Sequence, residues 1–146
     1  METQPLEILL VEDNEDDILL EQEALAEAKL VNLMSVVRDG EEAMAFLRRQ
    51  GRYQNAQIPG LILLDINMPK KNGFEVLNEL KADPTLMHIP VVMLTTSDNE
   101  ADIVKSYVKG ACSYITKPMD FDKFREVVKQ FALYWALVAR VPSHAR

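Results

Sequence analysis

Leu61-Ile62-Leu63-Leu64 is an unbroken apolar run that stops at Asp65. A short apolar run without polar alternation suits a strand covered by helices on both faces, the environment of a parallel sheet. Three further segments have the same form. Ile8-Leu9-Leu10-Val11 runs into Glu12-Asp13, Val91-Val92-Met93-Leu94 into Thr95-Thr96, and Tyr114-Ile115-Thr116 into Lys117-Pro118. In open parallel sheets the ligand site lies outside the carboxyl ends of the strands. Three acids, a hydroxyl pair and a lysine, drawn from opposite ends of the chain, therefore converge on one sheet edge.

The rest of the pattern fills in around these runs. Residues 6–12 read as strand one, and the cap-like acids Asp13 to Asp17 open a helix running to Lys29. Residues 33–38 read as strand two, followed by a helix from Glu41 to Gln50 with Gly51 as its stop and a loop over 52–60. After strand three, Met68-Pro69-Lys70-Lys71-Asn72-Gly73 is a loop, and a helix from Phe74 to Ala82 is broken by Asp83-Pro84. Pro90–Leu94 is strand four, Asn99–Lys109 a helix, Cys112–Thr116 strand five, and a last helix runs from near Asp120 to Ala139. Five β-α units in alternation predict an α/β fold, a doubly wound parallel sheet with right-handed crossovers. One domain is expected over residues 6–139, between tails at 1–5 and 140–146.

Composition narrows the class. The chain has 146 residues, enough for one full core, and a formal net charge of −7 without a basic cluster. That balance argues against nucleic acid or an anionic membrane surface as the main partner. No apolar stretch is long enough to span a bilayer, and the N-terminus lacks the regions of a signal peptide, so a cytoplasmic location is expected. The single cysteine, Cys112, excludes an internal disulfide and reads as a small buried apolar side chain.

The strand-end residues suggest a chemistry. Glu12, Asp13 and Asp65 at neighbouring strand ends would repel one another strongly. A hard cation relieves this, and Mg²⁺ suits oxygen ligands, to which the Asn67 segment could add a backbone carbonyl. Lys117 supplies a point charge for a carboxylate or phosphoryl group, and Thr95 a hydroxyl donor. Positive charge around a transferring phosphoryl group is a recurring arrangement, and an aspartate can form an acyl phosphate.

Glu12-Asp13, Asp65 with Met68-Pro69 and Gly73, Thr95-Thr96, Tyr114 and Lys117-Pro118 together resemble the receiver domain of two-component response regulators. The resemblance implies a flavodoxin-like (βα)5 fold with strand order 2-1-3-4-5. It implies that Asp65 is the phosphoacceptor, that Glu12, Asp13, Asp65 and the Asn67 carbonyl hold Mg²⁺, that Thr95 and Tyr114 form a switch pair, and that Lys117 contacts the phosphoryl group. Such a protein is a signalling phosphoacceptor rather than a turnover enzyme. Its partners would be a sensor histidine kinase and a downstream protein or histidine phosphotransfer protein. The stretches 45–53 and 89–97, with Tyr134-Trp135 and Val141-Pro142, further resemble regulators paired with bacterial and cyanobacterial phytochromes. A haloacid-dehalogenase-type phosphatase, with Asp65 as nucleophile, is the alternative. Such enzymes carry a second acid two residues on, and Asn67 cannot serve as that acid.

The remaining residues divide between core and surface. Leu19, Leu20 and Leu25 on the first helix are expected in the core, with Asn14, Asp17, Ile18 and Glu21 available to read a partner. His88 and His144 read as solvated or capping residues, and Lys70-Lys71 as a solvated loop or a docking point for a phosphodonor. Phe124, Val127, Val128 and Phe131 keep helical spacing and should pack on the sheet. Leu133, Tyr134, Trp135 and Leu137 add more apolar surface than one core face absorbs, which predicts a homodimer through the last helix.

Overall fold

The computed structural model describes residues 6–26, 31–95, 100–117, 122–127 and 129–130. The elements are β1 (Leu6–Val11), α1 (Glu15–Ala26), β2 (Val31–Val37), α2 (Gly40–Leu47), β3 (Leu61–Asp65), α3 (Gly73–Ala82), β4 (Val91–Thr95), α4 (Glu100–Val108) and β5 (Ser113–Thr116). Residues 122–127 and 129–130 are helical and begin a fifth helix, α5. The five strands form one parallel sheet in the order β2-β1-β3-β4-β5, as the family resemblance implied.

The alternation of side chains along each strand sorts the core into two layers. Leu9, Val11, Ile62, Leu64, Val91 and Met93 pack with α2 and α3 through Met44, Leu47, Val76 and Leu77. Ile8, Leu10, Leu61, Leu63, Val92 and Leu94 pack on the other face, with Ile18 and Leu25 of α1 and Phe124 of α5. Both faces are dry, and this explains the unbroken apolar runs.

Several element boundaries differ from the sequence expectation. Helix α2 stops at Leu47 rather than Gln50, because Arg48 caps it and Arg49 takes a left-handed φ of 56°. Gly51, the expected helix stop, then begins a short 3-10 turn, Gly51–Tyr53, that runs into the loop expected over 52–60. The buried stripe of α1 is rotated from expectation. Ile18, Glu21 and Leu25 face inward, whereas Leu19 is 62% and Leu20 45% exposed. Spacings of three and four select 18, 21 and 25, and a charged residue on that stripe obscured the pattern. Cys112 is exposed, not buried, since it lies in the turn before β5. Phe124 is buried as expected, while Phe131, Leu133, Tyr134, Trp135, Leu137 and both tails fall outside the described residues.

One close approach ties a helix to the end of β3. The Asn72 side chain and Glu75 form a reciprocal cap at the start of α3. Gly73 N–H donates to the Ile66 carbonyl at 2.8 Å. A Cβ on Gly73 would lie 2.5 Å from the Asp65 carbonyl oxygen and 2.8 Å from Ile66 Cα, both backbone atoms. Gly73→Ala should therefore cost about 2 kcal/mol or more, as overpacking of a fixed backbone does. Urea unfolding checks this, and wild-type stability for Gly73→Ala would contradict the packing described.

A buried acid cluster closed by Lys117

Glu12 and Lys117 lie one residue beyond β1 and β5, and the backbone bonding continues through both. Glu12 N–H donates to the Val37 carbonyl at 3.0 Å, and Lys117 N–H to the Thr95 carbonyl at 2.6 Å. Residues 8, 10 and 12 share one face of the sheet with 61, 63 and 65 and with 115 and 117, by pairing register. This is the face covered by α1 and α5. The alternation of the strands therefore delivers Glu12, Asp65 and Lys117 to one side of one edge.

The Lys117 ammonium donates to Glu12 Oε1 at 2.5 Å and to Asp17 Oδ2 at 2.9 Å. It lies 3.8 Å from Asp65 Oδ2, an ion-pair distance rather than a hydrogen bond. Glu12, Asp65 and Lys117 are all buried, and Asp13 is exposed at the mouth. Carboxylate oxygens of Glu12, Asp13 and Asp65 all lie within 4.8 Å of one another. Asn67, exposed in the following loop, donates its backbone N–H to Asp65 Oδ1 at 3.3 Å. Thr95 is fully buried at the end of β4, and Tyr114 packs against the α2–α3 side of the core. Glu12, Asp13, Asp65 and Lys117 thus meet at one edge, whereas Thr95 and Tyr114 lie on the opposite strand face from Asp65, with Tyr114 beside Met93 inside the sheet.

Two residues of α1 that the sequence leaves available to a partner, Asp17 and Glu21, join this cluster instead. Asp17 reaches Lys117, with its backbone N–H held by the Asn14 side chain at 2.9 Å. Glu21 is fully buried, and neither of its carboxylate oxygens meets a donor among the described residues. The signal that identifies Glu21 is its place between Ile18 and Leu25 on the buried stripe. Lys70 and Lys71 are ion-paired to Asp39 and Glu79 respectively.

The electrostatics follow from burial. Loss of hydration, then the charge of Glu12, push the Asp65 carboxyl up to about 7 against the opposing pull of Lys117. The same two causes push Glu21 up to about 9, so at neutral pH it holds a proton that it can offer to Glu12. Burial works to lower the Lys117 pKa, but its hydrogen bonds to Glu12 and Asp17 and the field of Asp65 outweigh this and raise it. Among the described residues, Glu12, Asp13, Asp17 and Asp65 face a single lysine, Lys117, and the cluster keeps an excess of negative charge. A hard divalent cation fits the Glu12, Asp13 and Asp65 oxygens on both charge and donor type.

The comparisons with known proteins fit this geometry. The family model for the response regulator receiver domain matches residues 8–129. The chain belongs to this receiver family. It is 44% identical to the response regulator Rcp1 of Synechocystis over 139 residues, which cover 95% of each protein. The crystal structure of the phosphorylated cyanobacterial phytochrome response regulator RcpA is 51% identical, with a TM-score of 0.80, over 94% of this chain and 99% of that one. The bacteriophytochrome response regulator AtBRR is 41% identical, with a TM-score of 0.77, over 90% and 96%. The chain is a signalling receiver related to phytochrome response regulators, not a phosphatase of the alternative class. No helix among the described residues is long and apolar enough to cross a membrane.

The two raised carboxyls make stability depend on pH. Each has a folded pKa above its unfolded value, so its stabilising contribution is complete below about pH 4. It is lost as pH rises through about 7 for Asp65 and about 9 for Glu21. Metal-free protein should therefore lose stability steadily from about pH 5 to about pH 9, and Glu21→Gln should recover about 2 kcal/mol or more at the upper end. Denaturant titrations across that range check this. Identical pH profiles for the two proteins would contradict the buried protonated carboxyl.

Proposed function

We propose that this receiver takes a phosphoryl group from the phosphohistidine of a sensor histidine kinase, of the phytochrome type, onto Asp65. The observation that carries the proposal is the buried Asp65 carboxyl 3.8 Å from the Lys117 ammonium at the carboxyl edge of the sheet. An Asp65 carboxylate oxygen attacks phosphorus, an O–P bond forms, and the P–N bond to the histidine breaks. The electron pair passes to the imidazole nitrogen. A carboxylate attacking an already anionic phosphoryl group needs positive charge around the equatorial oxygens. Lys117 supplies one such charge. Bound Mg²⁺, held by Glu12, Asp13, Asp65 and the Asn67 backbone carbonyl, would supply the rest. The crystal structure of the Mn²⁺-bound form of Rcp1, 44% identical with a TM-score of 0.77 over 94% of this chain and 99% of that one, supports a divalent cation. The kinase type rests on the phytochrome regulators among the relatives.

The acyl phosphate then acts through a two-state switch. Thr95 moves toward the phosphoryl oxygens, and Tyr114 turns into the space it leaves. The readout is a protein surface: a downstream protein, a histidine phosphotransfer protein, or a second copy of the chain in a cytoplasmic signalling pathway. On α4, Val104, Tyr107 and Val108 are 53%, 48% and 80% exposed at helical spacing, which supports a homodimer face; Leu133, Tyr134, Trp135 and Leu137, proposed to join it, lie outside the described residues.

Two measurements test these assignments. An autophosphorylated phytochrome-type kinase should label the wild type in Mg²⁺ and leave Asp65→Asn unlabelled. Lys117→Ala should be labelled at least about tenfold more slowly, the scale of about 1.4 kcal/mol. Label in Asp65→Asn at the wild-type level would overturn the phosphoacceptor. In sedimentation velocity, beryllofluoride should shift the wild type toward dimer, while Thr95→Ala and Trp135→Ala stay monomeric. A wild type that is monomeric with and without beryllofluoride would overturn the dimer readout.

A further inference from the structure

We infer that Asp17 is a latch that holds Lys117 away from Asp65 until a phosphoryl group displaces it. The inference rests on Asp65 being the phosphoacceptor. Lys117 has three ammonium protons, and two are committed, to Glu12 at 2.5 Å and to Asp17 at 2.9 Å. The approach to Asp65, at 3.8 Å, is too long for a hydrogen bond. The two bonded carboxylates are not equivalent. The Glu12 side chain is fully buried on β1, so stripping it of its counter-charge would leave a desolvated anion. The Asp17 side chain is 29% exposed at the mouth, and water can take over its hydrogen bonds when it lets go. Asp17 is therefore the partner that yields when phosphoryl oxygens arrive beside Asp65. Asn14 holds the Asp17 backbone at the first turn of α1, so the latch swings on its side-chain torsions.

Asp17 opposes phosphorylation in two ways with the same sign. It competes for the ammonium that the phosphoryl group needs, and it places a negative charge at the entrance used by an anionic donor. It is a positioning residue, acting through Lys117.

The test uses acetyl phosphate as donor, with Mg²⁺, on the full chain. Asp17→Asn removes the charge at nearly constant shape, and its labelling rate should rise about threefold to tenfold, with a weaker dependence on salt than in the wild type. Asp17→Glu, which restores a carboxylate, should fall back to within about twofold of wild type. A second readout needs neither metal nor phosphate. In lysine-¹⁵N-labelled, metal-free protein, the Lys117 ammonium protons should exchange slowly with water in the wild type and faster in Asp17→Asn. A labelling rate for Asp17→Asn that is unchanged or lower overturns the latch, as does unchanged ammonium exchange. Label that survives Asp65→Asn in the same assay overturns instead the phosphoacceptor assignment beneath it.

Discussion

The interaction on which the site depends is the buried ion pair between Lys117 and Glu12, 105 positions apart in sequence. It joins the ends of β5 and β1, which are not neighbours, and so bridges the ends of β4 and β3 that lie between them. Asp65, at the end of β3, lies beneath that bridge. Desolvating two charges offsets much of their attraction, so the pair adds little net stability. Its consequence is positional. Removing either partner would leave a buried uncompensated charge, at about 3–5 kcal/mol in typical cases, so the sheet edge holds both in place.

Around this pair the protein accumulates more negative charge than it neutralises. Asp13 and Asp17 border the mouth, and Glu21 lies buried behind the cluster with no donor for its carboxylate oxygens among the described residues. Burial and mutual repulsion raise Asp65 to about 7 and Glu21 to about 9. In the resting state this works against stability, the usual consequence of a site shaped for a ligand it does not yet hold. In the proposed reaction, an incoming cation and phosphoryl group would meet an arrangement already short of positive charge. Helix α1 is bonded to Lys117 through Asp17, so the proposed redistribution of Lys117 on phosphorylation would link α1 to the state of Asp65.

How far the sequence reveals this depends on range. The strands were legible because each is buried on both faces, and Leu61-Ile62-Leu63-Leu64 needs no partner information to be read as such. The convergence of Glu12, Asp65 and Lys117 followed from their places at strand ends. The strand order came from family resemblance and not from residue pattern, because nothing in the apolar runs says which neighbours pair. On α1 the pattern marks Leu25 as core but not the rest of the stripe, because the inward face of Ile18, Glu21 and Leu25 carries a charge while Leu19 and Leu20 stand outward. Asp17 looks like any first-turn acid favoured by the helix dipole; only the tertiary approach of Lys117 makes it part of the site. The early end of α2 turns on Arg49 taking a positive φ, a conformation that non-glycine residues seldom adopt and sequence seldom announces.

The function proposed for this protein rests on Asp65, poised beside Lys117, as the place where a phosphoryl group is held. The most direct measurement is a crystal structure of the protein grown with Mg²⁺ and beryllofluoride. Beryllofluoride is expected on an Asp65 carboxylate oxygen, a cation among Glu12, Asp13 and Asp65, and the Lys117 ammonium hydrogen-bonded to a fluorine in place of Asp17. An unmodified Asp65, with Lys117 still bonded to both Glu12 and Asp17 under saturating beryllofluoride, would contradict it.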